Sequence, residues 1–345
     1  MTPTPVVDTA RAVPGRHYSH HPRHGTTAMR SNPDAVHREL TSLDVRPGMT
    51  VLEIGTGSGY SGALLAALVG PHGRVVSIDV DPRLVDRARA LHRERGVRNV
   101  DCLVADGLAG HPDHGPYHRV VAWCTPPLLP ATWTDHLADD ARLVTPLPIA
   151  ELPHLTAIAT ITVHNGHPAV VSVHDGGYME TLPVPGDSLT PTRWIAATDT
   201  TRHPPAWIST TGHADAHAAL RLLLDPPHTE HHAPFAPRDW VGWRTWAATA
   251  GDPHLATAGL GDADAVVHTT TAAATAALTQ DGDLVADSPD SPAATTLRER
   301  LRAWNDAGRP PVSSYTGDLT TAEVDTIPGR SLRLTRARGA PVPTA

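Results

Sequence analysis

The chain contains no lysine; all 28 of its Lys and Arg residues are arginines. It has two cysteines, Cys102 and Cys124, too few for a disulfide framework, and a reducing cytoplasm is the expected setting. No apolar run is long enough to cross a bilayer, so no membrane partner is expected. The opening residues, Met1-Thr2-Pro3-Thr4-Pro5, lack the basic and apolar regions of a secretory signal. Positive charge is in deficit: 36 Asp and Glu leave a formal net charge of -8. An acidic chain is not drawn to nucleic acid by its long-range field, and none is expected as a partner. No Ser-His-Asp triad stands out, and the histidine clusters lack the fixed helical register or cysteine partners of a structural zinc site, so no metal is assigned. Those clusters, His17, His20, His21 and His24 and then His228, His231 and His232, read as solvated surface.

What is present is a chain of 345 residues, 40% of them hydrophobic, enough for two domains or one with a large extension. A Pro- and His-rich leader, residues 1–30, reads as loop or lid. Asn32 suits a helix N-cap and Pro33 the first helical position, with Val36, Leu40 and Leu43 on one face. Val51 to Ile54 is a strand that runs into Gly55-Thr56-Gly57-Ser58-Gly59. Tyr60 to Val69 is a helix, Arg74 to Asp79 a second strand, and Asp81-Pro82 opens another helix. On that helix Arg83, Arg87 and Arg93 read as a solvated face. Val100 to Val104 and Arg119 to Trp123 are further strands, Pro130 opens a helix through Leu137, and Ala141 to Leu147 is a fifth strand. Strands alternating with helices argue for a parallel sheet covered on both faces. Leu155 to Val163 and Ala169 to His174 flank Asn165-Gly166 as an antiparallel hairpin.

The chemistry gathers at the strand ends. A dinucleotide loop reads G-x-G-x-x-G; here Gly55, Gly57 and Gly59 are one residue tighter. A cofactor without a pyrophosphate needs close backbone approach to an amino-acid moiety instead. Glu53 is placed to brace the loop through its backbone N–H groups or to bind an ammonium. Asp79, at the tip of the second strand, is placed to accept from ribose hydroxyls. Asp106-Gly107 follows the third strand, where an adenine edge would lie. Together they favour S-adenosyl-L-methionine.

These runs, with Pro116 to Val121, Trp133 to Leu137 and Arg142 to Leu147, resemble the protein-L-isoaspartate O-methyltransferase family over roughly residues 25–180, with Ser31-Asn32-Pro33 at the family's Ser-x-Pro position. The resemblance implies an α/β class I (Rossmann-like) methyltransferase, a doubly wound sheet over residues 31–182. It also implies cofactor contacts from Glu53, Gly55, Thr56, Gly57, Ser58, Gly59, Tyr60, Asp79, Val80, Asp106 and Gly107. Ser31 and Asn32 are the implied catalytic pair, Ser31 at the substrate carboxylate. An aspartate carboxylate, pKa about 3.9, is ionised at neutral pH and needs no general base to attack a sulfonium methyl; catalysis is then mostly positioning. The chain departs from the family at Asn32, His118 and Ala122-Trp123-Cys124-Thr125, all expected on the substrate side.

Residues 183–345 are expected to form an α+β extension for peptide binding or dimerisation. Ala214 to Leu224 reads as a helix, Asp239 as the cap of a helix bearing Trp240, Trp243 and Trp246, and Ser291-Pro292 as the start of a helix ending at Gly308. Gln280 to Asp283 reads as a hairpin. The tryptophans suit a small core, with peptide anchoring as the alternative. The extension is similar to family members that methylate an aspartate in lanthipeptides, lasso peptides or graspetides, leading to aspartimide or isoaspartate. Tailoring a cyclised precursor peptide is therefore the expected function. The alternatives are repair of isoaspartate in damaged proteins and a non-catalytic cofactor-binding partner.

Overall fold

The computed structural model describes residues 5–182, 184–185, 191–209, 215–271 and 273–336. Its first sheet has strands β1 (Thr50–Ile54), β2 (Arg74–Asp79), β3 (Val100–Val104), β4 (Tyr117–Ala122), β5 (Leu137–Pro148), β6 (Thr156–His164) and β7 (His167–His174). They lie in the order β7-β6-β5-β4-β1-β2-β3. The five strands from β5 to β3 run parallel, and β6 and β7 add an antiparallel edge. Strand order reverses between β1 and β4, the point at which open α/β sheets leave a crevice at their carboxyl ends. This order is that of a doubly wound, Rossmann-like α/β sheet.

Alternation along each buried strand divides the interior in two. Val51, Val75, Val121 and Val144 face one way and pack against α3 (Pro33–Leu43) and α4 (Tyr60–Val69). Asn32 does cap α3, accepting from the Asp34 N–H at 2.9 Å. Val85 and Ala88 of α5 (Pro82–Glu94) meet Cys102. The leader is not a loose lid. It forms α1 (Pro5–Ala12), α2 (Gly15–Ser19) and a short antiparallel pair, His20–His21 with Gly25–Thr26, and it buries Val6 and Tyr18 in the same core. The two apolar side chains outweigh its polar composition.

Leu52, Ile54, Val76, Ile78, Val120 and Leu143 face the other way. The helix expected over Pro130 to Leu137 is absent: Leu129–Pro130 is a short strand, Ala131–Trp133 a 3-10 turn, and β5 already begins at Leu137. That face is covered from far along the chain. A hairpin of β15 (Tyr315–Val324) and β16 (Ile327–Arg336) pairs with Leu129–Pro130 and inserts Tyr315, Leu332 and Leu334.

Between them lies a second, all-antiparallel sheet. Its strands are β8 (Ala197–Asp199), β9 (Ala206–Ser209), β10 (His228–His231), β11 (Leu255–Leu260), β12 (Ala263–Thr271), β13 (Ala274–Thr279) and β14 (Asp283–Ala286), in the order β8-β9-β11-β12-β13-β14-β10. Helix α6 (Ala216–Leu224) packs into one of its two clusters; α7 (Pro237–Thr249) and α8 (Pro292–Asp306) pack into the other. Residue 214, the expected start of α6, lies outside the described residues. Asp239 sits in the first turn of α7 rather than at its cap, which is Ala236. Ser291 caps α8, and Gly308 follows it with φ 79. Trp240, Trp243 and Trp304 are fully buried and Trp246 half-buried, so they form core and are not peptide anchors.

The two halves do not separate at residue 183. Leu152 and Leu155, from the turn between β5 and β6, lie in the tryptophan cluster, and Val312, Tyr315, Leu332 and Leu334 lie in the first sheet's core. Among the described residues no helix is long and apolar enough to cross a membrane.

Candidate active site

The carboxyl ends of β1, β2 and β4 open on a cavity of about 490 Å³, within the range of small-molecule sites. Gly55, Gly57 and Gly59 all have positive φ (94, 48 and 83°), which a glycine adopts at little cost. Their environments differ. A Cβ on Gly57 would lie 3.1 Å from the Met29 carbonyl oxygen, so the loop passes directly beneath the segment leading to Ser31. A Cβ on Gly59 would lie 3.0 Å from the Ala88 Cβ, which makes Gly59 a packing residue against α5; it is not on the cavity wall.

Asp79 ties the loop to β2. Its Oδ2 accepts from the Gly57 N–H and its Oδ1 from the Asp81 N–H, both at 3.0 Å. Burial pushes its carboxyl above the ordinary carboxylate range, and the backbone donors pull it back. Each oxygen keeps a further lone pair, as acceptance from a ribose would need. Arg87, expected on a solvated face, instead donates to the carbonyls of Ser58 at 3.2 Å and of His24 and Gly25 at 3.2 and 3.1 Å, fastening the leader to the glycine loop.

Glu53 corrects the expected contact. It is 0% exposed and accepts from three side chains, Ser61 Oγ, Ser77 Oγ at 2.6 Å and Trp123 Nε1 at 3.0 Å, not from loop N–H groups. Burial raises its pKa and the three donors oppose the rise. It braces the wall from behind and does not line the cavity. Asp106 is likewise displaced: it is exposed, caps a 3-10 turn through the Leu108 N–H at 2.9 Å, and leaves only Gly107 on the wall. Gly55, Thr56, Gly57, Ser58, Tyr60, Asp79 and Val80 all line the cavity.

Ser31 and Asn32 stand on its rim. Asn32 Oδ1 is engaged as the helix cap, whereas Ser31 is half-buried on the cavity wall. Beside them is a group with no sequence signal. Arg38 reaches the cavity and donates to Glu39 Oε1 at 3.0 Å and the Asp175 carbonyl at 3.2 Å. Buried Glu39 is bonded to His174 Nε2 at 2.7 Å. Tyr178, also on the wall, packs edge-on against Trp123 at 5.7 Å. Arg38 and Asp175 lie 137 residues apart in the chain and Glu39 and His174 lie 135 apart, so only folding reveals these two contacts. Of the sequence departures, Trp123 and Cys124 do line the cavity. His118 does not: its Nδ1 accepts from the Thr50 N–H at 3.1 Å, at the opposite end of the sheet. Burial pushes the Cys124 thiol up to about 11, so it is neutral at neutral pH and no thiolate nucleophile.

Among the described residues, His17, His21 and Glu94 bring donor atoms within 4.8 Å of one another. His21 Nδ1 accepts from the backbone N–H of Arg23 and His24, at 3.3 and 3.2 Å, which keeps its proton on Nε2. That nitrogen faces Glu94 Oε2 at 3.1 Å as a donor and has no lone pair for a cation. The other cluster surrounds Glu230, which pairs with Arg298, His228 and His232.

Residues 9–167 match the family described as Protein-L-isoaspartate(D-aspartate) O-methyltransferase (PCMT). A protein-L-isoaspartate O-methyltransferase of Aeropyrum pernix is 42% identical over 136 residues, 39% of this chain and 52% of that protein. One of Methanocella arvoryzae is 40% identical over 117 residues, 34% of this chain and 62% of that protein. The chain thus spans less than two thirds of the length of these relatives. A crystal structure of a putative protein-L-isoaspartate O-methyltransferase from Plasmodium falciparum, in complex with S-adenosyl-L-homocysteine, aligns over 53% of this chain and 92% of that one, at 17% identity and a TM-score of 0.43. The strand order, not that likeness, identifies the fold. Over residues 9–167 the chain is thus similar to the protein-L-isoaspartate O-methyltransferase family.

Proposed function

We propose that this protein is an S-adenosyl-L-methionine-dependent carboxyl O-methyltransferase whose substrate is an isoaspartyl carboxylate in a peptide or protein. The observation that carries the proposal is the loop of Gly55 and Gly57, pinned by Asp79 beneath Met29, with Ser31 on the wall of the same cavity. Gly55 and Gly57 would take the amino-acid moiety, Asp79 the ribose hydroxyls and Gly107 the adenine edge. When bound, the cofactor supplies an electrophilic methyl on a sulfonium.

The chain's own residues then have a positioning task. Ser31 would donate to one oxygen of the acceptor carboxylate and leave the other in line with the methyl. Arg38 adds a cation near that oxygen, and Trp123 and Tyr178 exclude water from the approach. No proton has to leave the carboxylate, in keeping with a neutral Cys124 and the absence of a paired base beside Ser31 among the described residues.

The family match and the two archaeal relatives favour the isoaspartyl substrate. A second reading, methylation of an aspartate in a cyclised precursor peptide followed by aspartimide closure, draws on one observation: the second sheet and its helices, which lie outside the family match. Labelled cofactor with a panel of isoaspartyl, aspartyl and ring-constrained aspartyl peptides separates them. Methyl transfer to isoaspartyl peptides alone supports the proposal. Transfer only to the constrained peptides, followed by methanol loss and a net loss of one water, replaces it with the second reading. Cofactor binding without any transfer ends both in favour of a non-catalytic role. Ser31→Ala is expected to lower kcat about tenfold or more while the affinity for S-adenosylhomocysteine holds; equal loss of both contradicts the role given to Ser31.

A further inference from the structure

The segment Gly176 to Leu182 is a partition. Its residues Gly176, Gly177, Tyr178, Met179, Glu180 and Leu182 wall the cofactor cavity on one side and a second cavity, about 410 Å³, on the other. The partition is fixed at both limbs. The Thr125 N–H donates to the Met179 carbonyl at 2.7 Å, and the Thr181 N–H returns to the Thr125 carbonyl at 2.8 Å. Glu180 Oε2 accepts from the N–H and hydroxyl of Thr192 and the N–H of Arg193, at 3.0, 2.7 and 3.2 Å, which ties the start of the second half to it.

The far wall of the second cavity belongs to the second half of the chain, through Trp194, Val241, Arg244 and Asp264. The near wall is apolar, with Pro126, Pro148, Leu152 and Pro153. Most of its charged side chains are already engaged. Asp264 holds Arg244 at 3.3 Å and His154 at 3.1 Å, and Arg193 meets Asp325 at 3.4 Å. A charged occupant would lose hydration and find little to offset it beyond one unpartnered donor, the buried Arg244 Nε, whereas an apolar side chain meets the proline and leucine wall. Trp194 is half-buried on this wall with φ 61, a conformation that a bulky side chain adopts only under constraint and one that clusters at binding sites.

We infer that this second cavity receives a large apolar side chain of the acceptor peptide, from the residue next to the methylated one, so that the second half of the chain reads the sequence around the acceptor. The inference rests on the proposed carboxyl methyltransferase reading. A peptide lying across the partition would present its carboxylate to Ser31 on one side and its neighbouring side chain to Val241 and Trp194 on the other.

The test uses the full-length protein and isoaspartyl hexapeptides that differ only in the residue before or after the isoaspartate: Leu, Gly or Glu. With one flank the Leu peptide is expected to show a KM about tenfold below those of the Gly and Glu peptides, the size of effect that burying one aliphatic side chain gives. Val241→Trp, which fills the cavity, and Trp194→Gly, which removes a wall while suiting the positive φ, are expected to bring the three KM values together. Folding of each variant is checked by its binding of S-adenosylhomocysteine. No Leu preference in the parent protein, or a preference that survives both variants, overturns the inference. If no peptide is methylated, the carboxyl methyltransferase reading fails; calorimetric binding of the same peptides in the presence of S-adenosylhomocysteine then decides the cavity, by the same Leu preference and its loss.

Discussion

At the scale of single residues, the acids of the site divide by what they face. Asp79 accepts from two backbone N–H groups and still borders the cavity, so its removal frees Gly57 and strips the proposed ribose acceptor together. Asp79→Ala is expected to weaken S-adenosylhomocysteine binding by tenfold or more in calorimetry, with the melting temperature lowered much less. His92 makes a prediction about stability. It is buried beside Tyr18, neither ring nitrogen has a hydrogen-bond partner, and burial, helped by the nearby His17, lowers its pKa from 6.5 to about 4. The unfolded chain therefore takes up a proton that the folded chain refuses. Stability is whole above pH 6.5 and is lost as pH falls toward 4, by about 3 kcal/mol. His92→Phe should flatten that part of the stability profile in denaturant titrations at pH 7, 5.5 and 4.5; an unchanged slope would place the acid sensitivity elsewhere. Glu53 and Asp79 both stand at strand ends and look alike in sequence. Only the three side-chain donors around Glu53 make it a brace.

At the scale of elements, the strands were legible and the cover was not. β1 to β4 are short, mostly apolar runs, as strands buried on both faces are, so their existence follows from pattern alone, and Asn32-Pro33, Asp81-Pro82 and Ser291-Pro292 start helices where capping chemistry says they should. The helix expected from Pro130 fails because Leu128, Leu129 and Trp133 are all buried, and the segment pairs with β16 as a short strand instead. The hairpin of β15 and β16 takes the helix's place. Its alternation is present in the sequence, as in Leu332-Arg333-Leu334, but nothing local says which sheet its apolar face covers. Leu334→Ala should cost about 2–4 kcal/mol, the range for an aliphatic side chain lost from a core, although it lies more than 150 residues beyond the family match. A cost within 0.5 kcal/mol would mean that the hairpin does not seal the first sheet.

At the scale of the whole molecule, each half completes the interior of the other. Leu152 and Leu155 sit among the tryptophans of the second half, and Tyr315, Leu332 and Leu334 sit among the strands of the first. Scanning calorimetry should therefore record one unfolding transition. S-adenosylhomocysteine at about 100 times its Kd should move that whole transition upward, by the equivalent of about 2.7 kcal/mol. Two transitions, with only one responding to the ligand, would mean that the halves unfold independently. The same interleaving puts a second cavity beside the first, with walls drawn from both.

The sequence by itself determined the succession of strands along the first half and that they form a parallel sheet, the glycine loop with Asp79 behind it, and Ser31 at the start of the helix upstream. Each is a local matter of apolar pattern, capping or backbone freedom, and each is written in neighbouring residues. What covers the second face of the sheet, which carboxylate looks inward, the company Arg38 keeps with Glu39 and His174, and the partition shared by two cavities were decided only by the tertiary structure. These depend on burial and on contacts across more than a hundred residues, where no local propensity reaches.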